Sequence, residues 1–491
     1  MYEAAVILLG SLFAEATPTP SAASSAPTPV AEPASLEEVM RGLDHTGTPP
    51  LPPRTGELPA ASAAPGSKRP TPDYEGRERD APDLAATLVW VPRVIFFPVH
   101  AVAEYGLRRP VVGGITLAEK HYVFARLERV FTWWNGRAGF FPAFRFDLGL
   151  KPMVGFQAFA HGVGHPDNDL AASASFWNDR LLTVRARDSA RVFRDRTGTL
   201  TVKASYLRRP DGLFYGIGSD TRNEDKTVFF YRRMEVGTGL EGKLSGLNRI
   251  GLDLTLRRAR FEGSSTGGAT PDLVTRFGGP DQPPLPPGFS TGYALLAPRL
   301  TVVLDSRRPR EEEYRGSGLR LEADASYAAD PGDAATSFVS WGAEAAALWD
   351  FTGYNHALGA RVHTHFTEKL GSNPVPFTEL ANLGGPELMR GFLAGRFVGA
   401  SALEATLQYR YPIWSFADAE IFSSAGNAFD GHLGGFALSR LFLCWGLSVR
   451  TSGSRETSLG LTVAFGSNRF DQDAFRPADS FRFFLGLNEG F

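Results

Sequence analysis

Two pairs of histidines are the first residues whose spacing could do chemistry. His161 and His165 stand four apart, and His363 and His365 stand two apart in HALGARVHTHF. Alternate residues of a strand share a face, so His363 and His365 could together hold a transition metal weakly. A durable site takes three or four ligands, and neither pair has a cysteine or carboxylate cluster beside it in sequence. Polar histidines on a solvated strand face are the plainer reading. The single cysteine, Cys444, allows no internal disulfide and no thiolate cage. No phosphate-cradling loop or His-Glu-x-x-His pattern occurs, and GSSTGG (263–268) and GGPDQPPLPPG (278–288) read as surface loops. No catalytic, cofactor-binding or metal-binding residues are therefore expected, and the chain is not read as an enzyme. One stretch offers a different chemistry. In LGGPELMRGFLAG (383–395), Gly384, Gly385 and Pro386 break regular structure, and Arg390-Gly391-Phe392 follows. A guanidinium is a rigid fork of donors that bonds a carboxylate in pairs, so this arginine is suited to holding rather than to turnover.

The elements that must position these residues fall into four parts. The chain has 491 residues, and 51 basic residues nearly balance 53 acidic ones. That leaves no global field for nucleic acid. Residues 1–16 contain a short apolar run ending in Ala14-Glu15-Ala16, which reads as a secretory signal peptide, although no Lys or Arg precedes it. An apolar tip without that role is the alternative. Residues 17–83 are rich in Pro, Ala, Ser and Thr and read as a disordered linker. Residues 84–138 are apolar but interrupted by Pro92, Arg93, Pro98 and His100, then show helical spacing from Leu117 to Phe131. They read as a short helical adaptor, periplasmic or lying at a membrane interface.

From about residue 139 to residue 491 the pattern changes to period two. In SALEATLQYRYPI, Leu403, Ala405, Leu407, Tyr409, Tyr411 and Ile413 fall on one face, and Glu404, Thr406, Gln408 and Arg410 on the other. GLRLEADASY repeats this, with Arg320, Glu322 and Asp324 in mid-strand. Uncharged apolar faces of nine or ten residues opposite charged ones are the dyad signature of a transmembrane barrel, lipid outside and a polar lumen inside. The fold class is all-β: a transmembrane antiparallel β-barrel of about sixteen strands. Tyr411, Trp414, Phe416, Phe483 and Phe484 suit interfacial girdles. SFRFFLGLNEGF at the end supplies a closing strand, with Phe491 last.

At this point LGGPELMRGFLAGRFVGASALEATLQYRYPI resembles the C-terminal barrel of the bacterial surface antigen family, the BamA/TamA group of outer-membrane assembly and translocation proteins. PRLTVVLDSRRPREEEYRGSGLRLEADASY resembles the Asp-x-Arg strand and Gly-containing turn of that family. The resemblance covers roughly residues 139–491. It implies an outer-membrane location and a loop between strands eleven and twelve that folds into the lumen. The arginine of that loop, here Arg390, reaches acidic residues of the inner wall. It also implies outer-membrane lipids, unfolded barrel or secreted proteins, and periplasmic factors as partners. Two positions depart from the family: its wall Glu is Gln408 here, and its Asp is Ser424. Glu404 or Glu420, on the inward phase of the same strands, is expected to take over the pairing. The alternative is a solvated Arg390. No repeat resembling the family's periplasmic POTRA domains is recognised before residue 139, so assembly or translocation stands beside a plugged or gated pore as the expected role, with an outer-membrane hydrolase third.

Overall fold

The computed structural model describes residues 129–193, 197–264, 270–307, 317–350, 356–414, 417–451, 459–472 and 474–487. The expected signal peptide, the linker, residues 84–128 of the adaptor and Phe491 lie outside the described residues.

Sixteen strands close one antiparallel sheet on itself. They are β1 (Ala138–Asp147), β2 (Met153–His161), β3 (Asn168–Trp177), β4 (Leu181–Val192), β5 (Gly198–Phe214), β6 (Thr227–Lys243), β7 (Arg249–Gly263) and β8 (Tyr293–Asp305). Then follow β9 (Gly318–Asp330), β10 (Asp333–Asp350), β11 (Ala357–Lys369), β12 (Ser401–Trp414), β13 (Ala417–Phe429), β14 (Phe442–Thr451), β15 (Leu459–Arg469) and β16 (Ser480–Leu487). Each strand pairs with its sequence neighbour, and β16 pairs with β1 to complete the ring. A closed ring leaves no sheet edge, the condition for placing strands in hydrocarbon. Among the described residues no helix is long and apolar enough to cross a membrane.

The alternation fixes which face is which. Leu407 is 67% exposed while its neighbours Glu404 and Thr406 are buried. Leu319 and Leu321 face out, and Arg320 faces in, where it bonds Glu344 at 3.0 Å. Such inversion, apolar outside and paired charge inside, has one solvent that rewards it: lipid. Phe484 departs from the expected girdle. It is 6% exposed and faces inward, beneath the guanidinium groups of Arg145 and Arg482 at 5.7 and 5.5 Å. Its even-numbered position on β16 shares the luminal phase of Arg482, and phase overrules residue type. The side chains of Tyr411, Trp414 and Phe416 lie outside the described set.

The two rims differ. At the rim where β1 begins and β16 ends, most connections are short. At the opposite rim, long segments join β5 to β6, β7 to β8, β11 to β12, β13 to β14 and β15 to β16. There the ends of β5–β10 surround a buried cluster that includes Phe214, Phe229, Phe261, Phe289 and Phe377. The connection from β11 to β12 turns back into the barrel. A short ribbon, Ala381–Leu383 against Phe397–Gly399, forms its neck. Residues Thr132–Trp133, inside the stretch read as a helical adaptor, are extended and pair with Ala138 and Gly139 of β1.

Candidate functional site

The neck of the inward loop is held by strand pairing, and its tip by glycine geometry. Gly384 and Gly385 have φ of +106° and +105°, a region that disfavours residues with a Cβ. Gly385 N donates to Phe392 O at 2.8 Å and Phe392 N to Met389 O at 2.9 Å, closing the tip on itself. Met389, with φ +47°, is a non-glycine residue held in the left-handed region. Its N–H donates to Glu404 Oε1 at 3.2 Å and its side chain is fully buried, so the surroundings enforce that backbone.

Arg390 lies inside the wall, 3% exposed. Its Nη2 donates to Glu420 Oε1 at 2.5 Å and its Nη1 to Ser448 Oγ at 3.3 Å. The guanidinium carbon lies 3.6 Å from the Phe422 ring centroid, so the charge is both paired and stacked. Glu404 has another occupant: Arg361 donates to both of its oxygens, at 3.3 and 3.0 Å. The same Arg361 Nη2 donates to Glu387 O of the loop at 3.0 Å. Thus two arginine–carboxylate pairs grip the loop from β11, β12 and β13. Ser424 bonds Thr406 at 2.8 Å, while the Arg390 guanidinium bonds Glu420 and Ser448. Gln408 lies on β12, opposite Gly359 of β11 and Phe422 of β13.

Gly391 and Phe392 fill what remains. A Cβ at residue 391 would stand 2.4 Å from Phe465 O and 2.8 Å from Cys444 Cβ, so only glycine fits. Phe392 is 3% exposed and meets Phe397 and Phe442 edge to face, with centroids 4.9 and 5.9 Å away. Gly466 opens the wall for it, since a Cβ there would lie 2.4 Å from Phe392 Cζ.

The loop also reaches the closing seam. Arg482 of β16 is 1% exposed and bonds Asp147 of β1 in bidentate fashion, Nε to Oδ1 at 2.8 Å and Nη2 to Oδ2 at 2.5 Å. Its Nη1 donates to Arg390 O at 3.3 Å, and Ser480 Oγ donates to Gly391 O at 3.1 Å. Farther up, Arg396 is fixed by Asn223 Oδ1 at 3.1 Å and by Thr221 Oγ1 and O at 2.8 and 3.0 Å, between the rings of Phe397 and Phe442. Burial pushes its pKa down to about 10, so it stays cationic at neutral pH.

The sequence reading assigns no anchoring role to Arg361, Asp147, Arg482 or Arg396. Asp147 and Arg482 had a signal: FRFD and SFRFF each place a charge among phenylalanines. Which strand that charge would meet depends on ring closure across 335 residues, which no local pattern encodes. The histidines build no centre. His161 pairs with Asp169 at 2.7 Å and His363 lies 3.7 Å from Glu344. Among the described residues, no group of three His, Cys, Asp or Glu side chains is arranged to hold a metal.

No family model matches the chain, and no curated protein matches it either. Solved structures do. The barrel of BamA from Haemophilus ducreyi, in a form lacking POTRA domains 1–3, superposes with a TM-score of 0.50 at 12% identity, covering 71% of this chain and 70% of that one. CdiB from Acinetobacter baumannii matches with a TM-score of 0.45 at 10% identity, over 72% of this chain and 59% of that one. CdiB from Escherichia coli matches with a TM-score of 0.44 at 11% identity, over 72% and 62%. At such identity the likeness speaks for the fold. The chain is a closed sixteen-stranded antiparallel barrel whose fold is similar to that of BamA.

Proposed function

We propose that this chain is an outer-membrane barrel that takes part in assembling proteins into that membrane or moving them across it. The observation that carries the reading is the seam. Among the described residues β16 and β1 share four register pairs, Phe484–Asp147 to Leu487–Phe144. The neighbouring junction of β15 with β16 has eight, and that of β5 with β6 has fifteen. Across the described residues the seam has the fewest rungs of the barrel's junctions, and we read it as the one that opens most readily. An opened edge presents a ladder on which an incoming strand can pair. The fold shared with BamA supports the same reading. The inward loop supports a second one, a plugged pore, because Arg390, Met389 and Phe392 occupy luminal space.

A reversible lock separates the two. Arg145 and Gly486 face each other across the seam. The Leu148 N to Phe483 O bond at 2.9 Å marks the adjoining rungs that exchange hydrogen bonds, which makes Arg145 and Gly486 a non-hydrogen-bonded pair. Such pairs have Cα atoms about 4.5 Å apart, within disulfide range. In cells depleted of the natural chain, oxidised Arg145→Cys/Gly486→Cys is expected to lower the folded amount of other outer-membrane barrels, and reductant to restore it. Full support by the oxidised form refutes seam opening and leaves the pore reading, which planar-bilayer conductance then examines.

A further inference from the structure

The outward surface of β5, β6 and β7 carries a feature that neither the seam nor the inward loop uses. Rung by rung toward the long-loop rim, Leu240 stands beside Leu252, Thr238 beside Leu254 and Val236 beside Leu256. The leucines and Val236 are all at least 40% exposed, an ordinary apolar wall. The next rung pairs Met234 with Arg258, and the one above it places Arg208, Arg232 and Arg260 directly side by side on three adjacent strands. From Leu252 to Arg260 the strand advances about 27 Å, or roughly 20 Å of height once tilted, close to the apolar band of a barrel. The arginines therefore stand at its upper edge.

Three like charges in register repel one another, and the protein does little to offset this. Glu262 lies 3.4 Å from Arg232, with both side chains about half exposed. Among the described residues no carboxylate lies within ion-pair distance of Arg258 or Arg260, and Arg208 Nε is buried without a hydrogen bond. The Phe230 ring faces Arg232 and Arg208, whose guanidinium carbons lie 5.1 and 6.0 Å from its centroid. A groove beside them is lined by Leu256, Arg258, Arg260 and Tyr293, with Asp330 and Asp333 on its far side. Those two carboxylates accept bonds from Ala294 N, Gly332 N, Ala335 N and the Thr336 and Asn373 side chains, so their oxygens are already engaged.

We propose that Arg208, Arg232, Arg258 and Arg260 bind the phosphate groups of a phosphate-bearing lipid of the outer leaflet, whose acyl chains lie on the apolar rungs below. The proposal rests on the outer-membrane reading above. Continuity decides the occupant: the basic row and the apolar wall share one face, so a molecule that fills both must carry clustered phosphates on long hydrocarbon. Such a lipid supplies negative charge beyond the single carboxylate of Glu262, and guanidinium forks match phosphate oxygens in pairs.

The full chain is reconstituted in phosphatidylcholine nanodiscs containing a small fraction of phosphatidic acid, and native mass spectrometry measures retained phosphatidic acid. The natural chain is expected to enrich it. Arg208→Gln/Arg232→Gln/Arg260→Gln is expected to lose enrichment by roughly a hundredfold, at about fivefold per basic residue near a charged surface. Lys369→Gln, a rim cation on β11, is expected to leave enrichment unchanged. Arg232→Gln/Arg260→Gln gives an intermediate loss and covers the case in which the triple variant does not fold. Equal enrichment in natural and triple chains, both intact by heat-modifiable mobility, overturns the proposal. So does displacement of the lipid by millimolar inorganic phosphate, which would make a soluble anion the ligand. A chain that carbonate strips from vesicles overturns the outer-membrane reading, and the lipid site with it.

Discussion

Removing the Arg390 side chain is the most direct way to ask whether the inward loop is latched. In Arg390→Ala the Glu420 carboxylate, whose side chain is 10% exposed, loses its 2.5 Å partner. The stacking over Phe422 at 3.6 Å is lost as well. Breaking a buried pair costs about 3–5 kcal/mol, because the remaining charge is left uncompensated. Arg450 and Arg410 also act on Glu420, and partial replacement by them sets the expected loss near the lower end, about 3 kcal/mol. The chain supplies its own reporter. Cys444, the single cysteine, is 0% exposed, and Gly391 packs against its Cβ. When exchange is fast, labelling by a thiol reagent tracks the open population, so 3 kcal/mol becomes roughly a hundredfold faster labelling without unfolding of the barrel. Arg390→Met/Glu420→Gln removes both charges and is expected to recover most of that protection, since a neutral pair leaves no buried orphan ion. If Arg390→Ala labels Cys444 at the natural rate and its loop resists protease equally well, the latch is wrong.

Two further outcomes follow from the same geometry. Gly391→Ala forces a methyl into backbone and Cβ atoms at 2.4–2.8 Å, and is expected to cost about 1–3 kcal/mol, read again as faster Cys444 labelling. Asp147→Asn leaves Arg482 buried without its carboxylate; a loss of about 3 kcal/mol at the seam is expected, seen as lower resistance of the folded band to heating, while Arg482→Met/Asp147→Leu is expected to be milder than either single change.

How much of this was legible in the sequence depends on how local its cause is. All sixteen strands were visible because lipid outside and paired charge inside impose period two on every one of them. The loop between β11 and β12 was visible because three consecutive breakers interrupt that period. Strand ends were harder. β5 continues to Phe214 through Pro210 and Gly212, because a register shift between Arg209 and Gly212 absorbs the proline and pairing with β6 resumes. The loop's partners were harder still. Glu404 and Glu420 share one phase and one charge, and nothing local says that Arg361 engages the first while Arg390 reaches the second. That division is set by register between β11 and β12, a tertiary fact. The basic row on β5–β7 was equally hidden: Arg208, Arg232 and Arg260 are scattered in sequence and adjacent only after two hairpins have fixed their registers.

The seam contacts have a consequence for the order of folding. Arg482 binds Asp147 on one side and the Arg390 carbonyl on the other, and Ser480 binds the Gly391 carbonyl. The last strand thus docks onto two surfaces, the first strand and the loop tip, and the second exists only when the loop is already inside. A ring closed around an empty lumen would bury Arg482 with one acceptor fewer, and would then require residues 384–396 to thread past packed phenylalanines. Loop first and closure last is the route that avoids both. The closing contact also spans the longest sequence separation in the barrel, the kind of pairing that topology makes slow. The loop tip therefore serves the nascent barrel as a template, an internal former around which the final strand is cast.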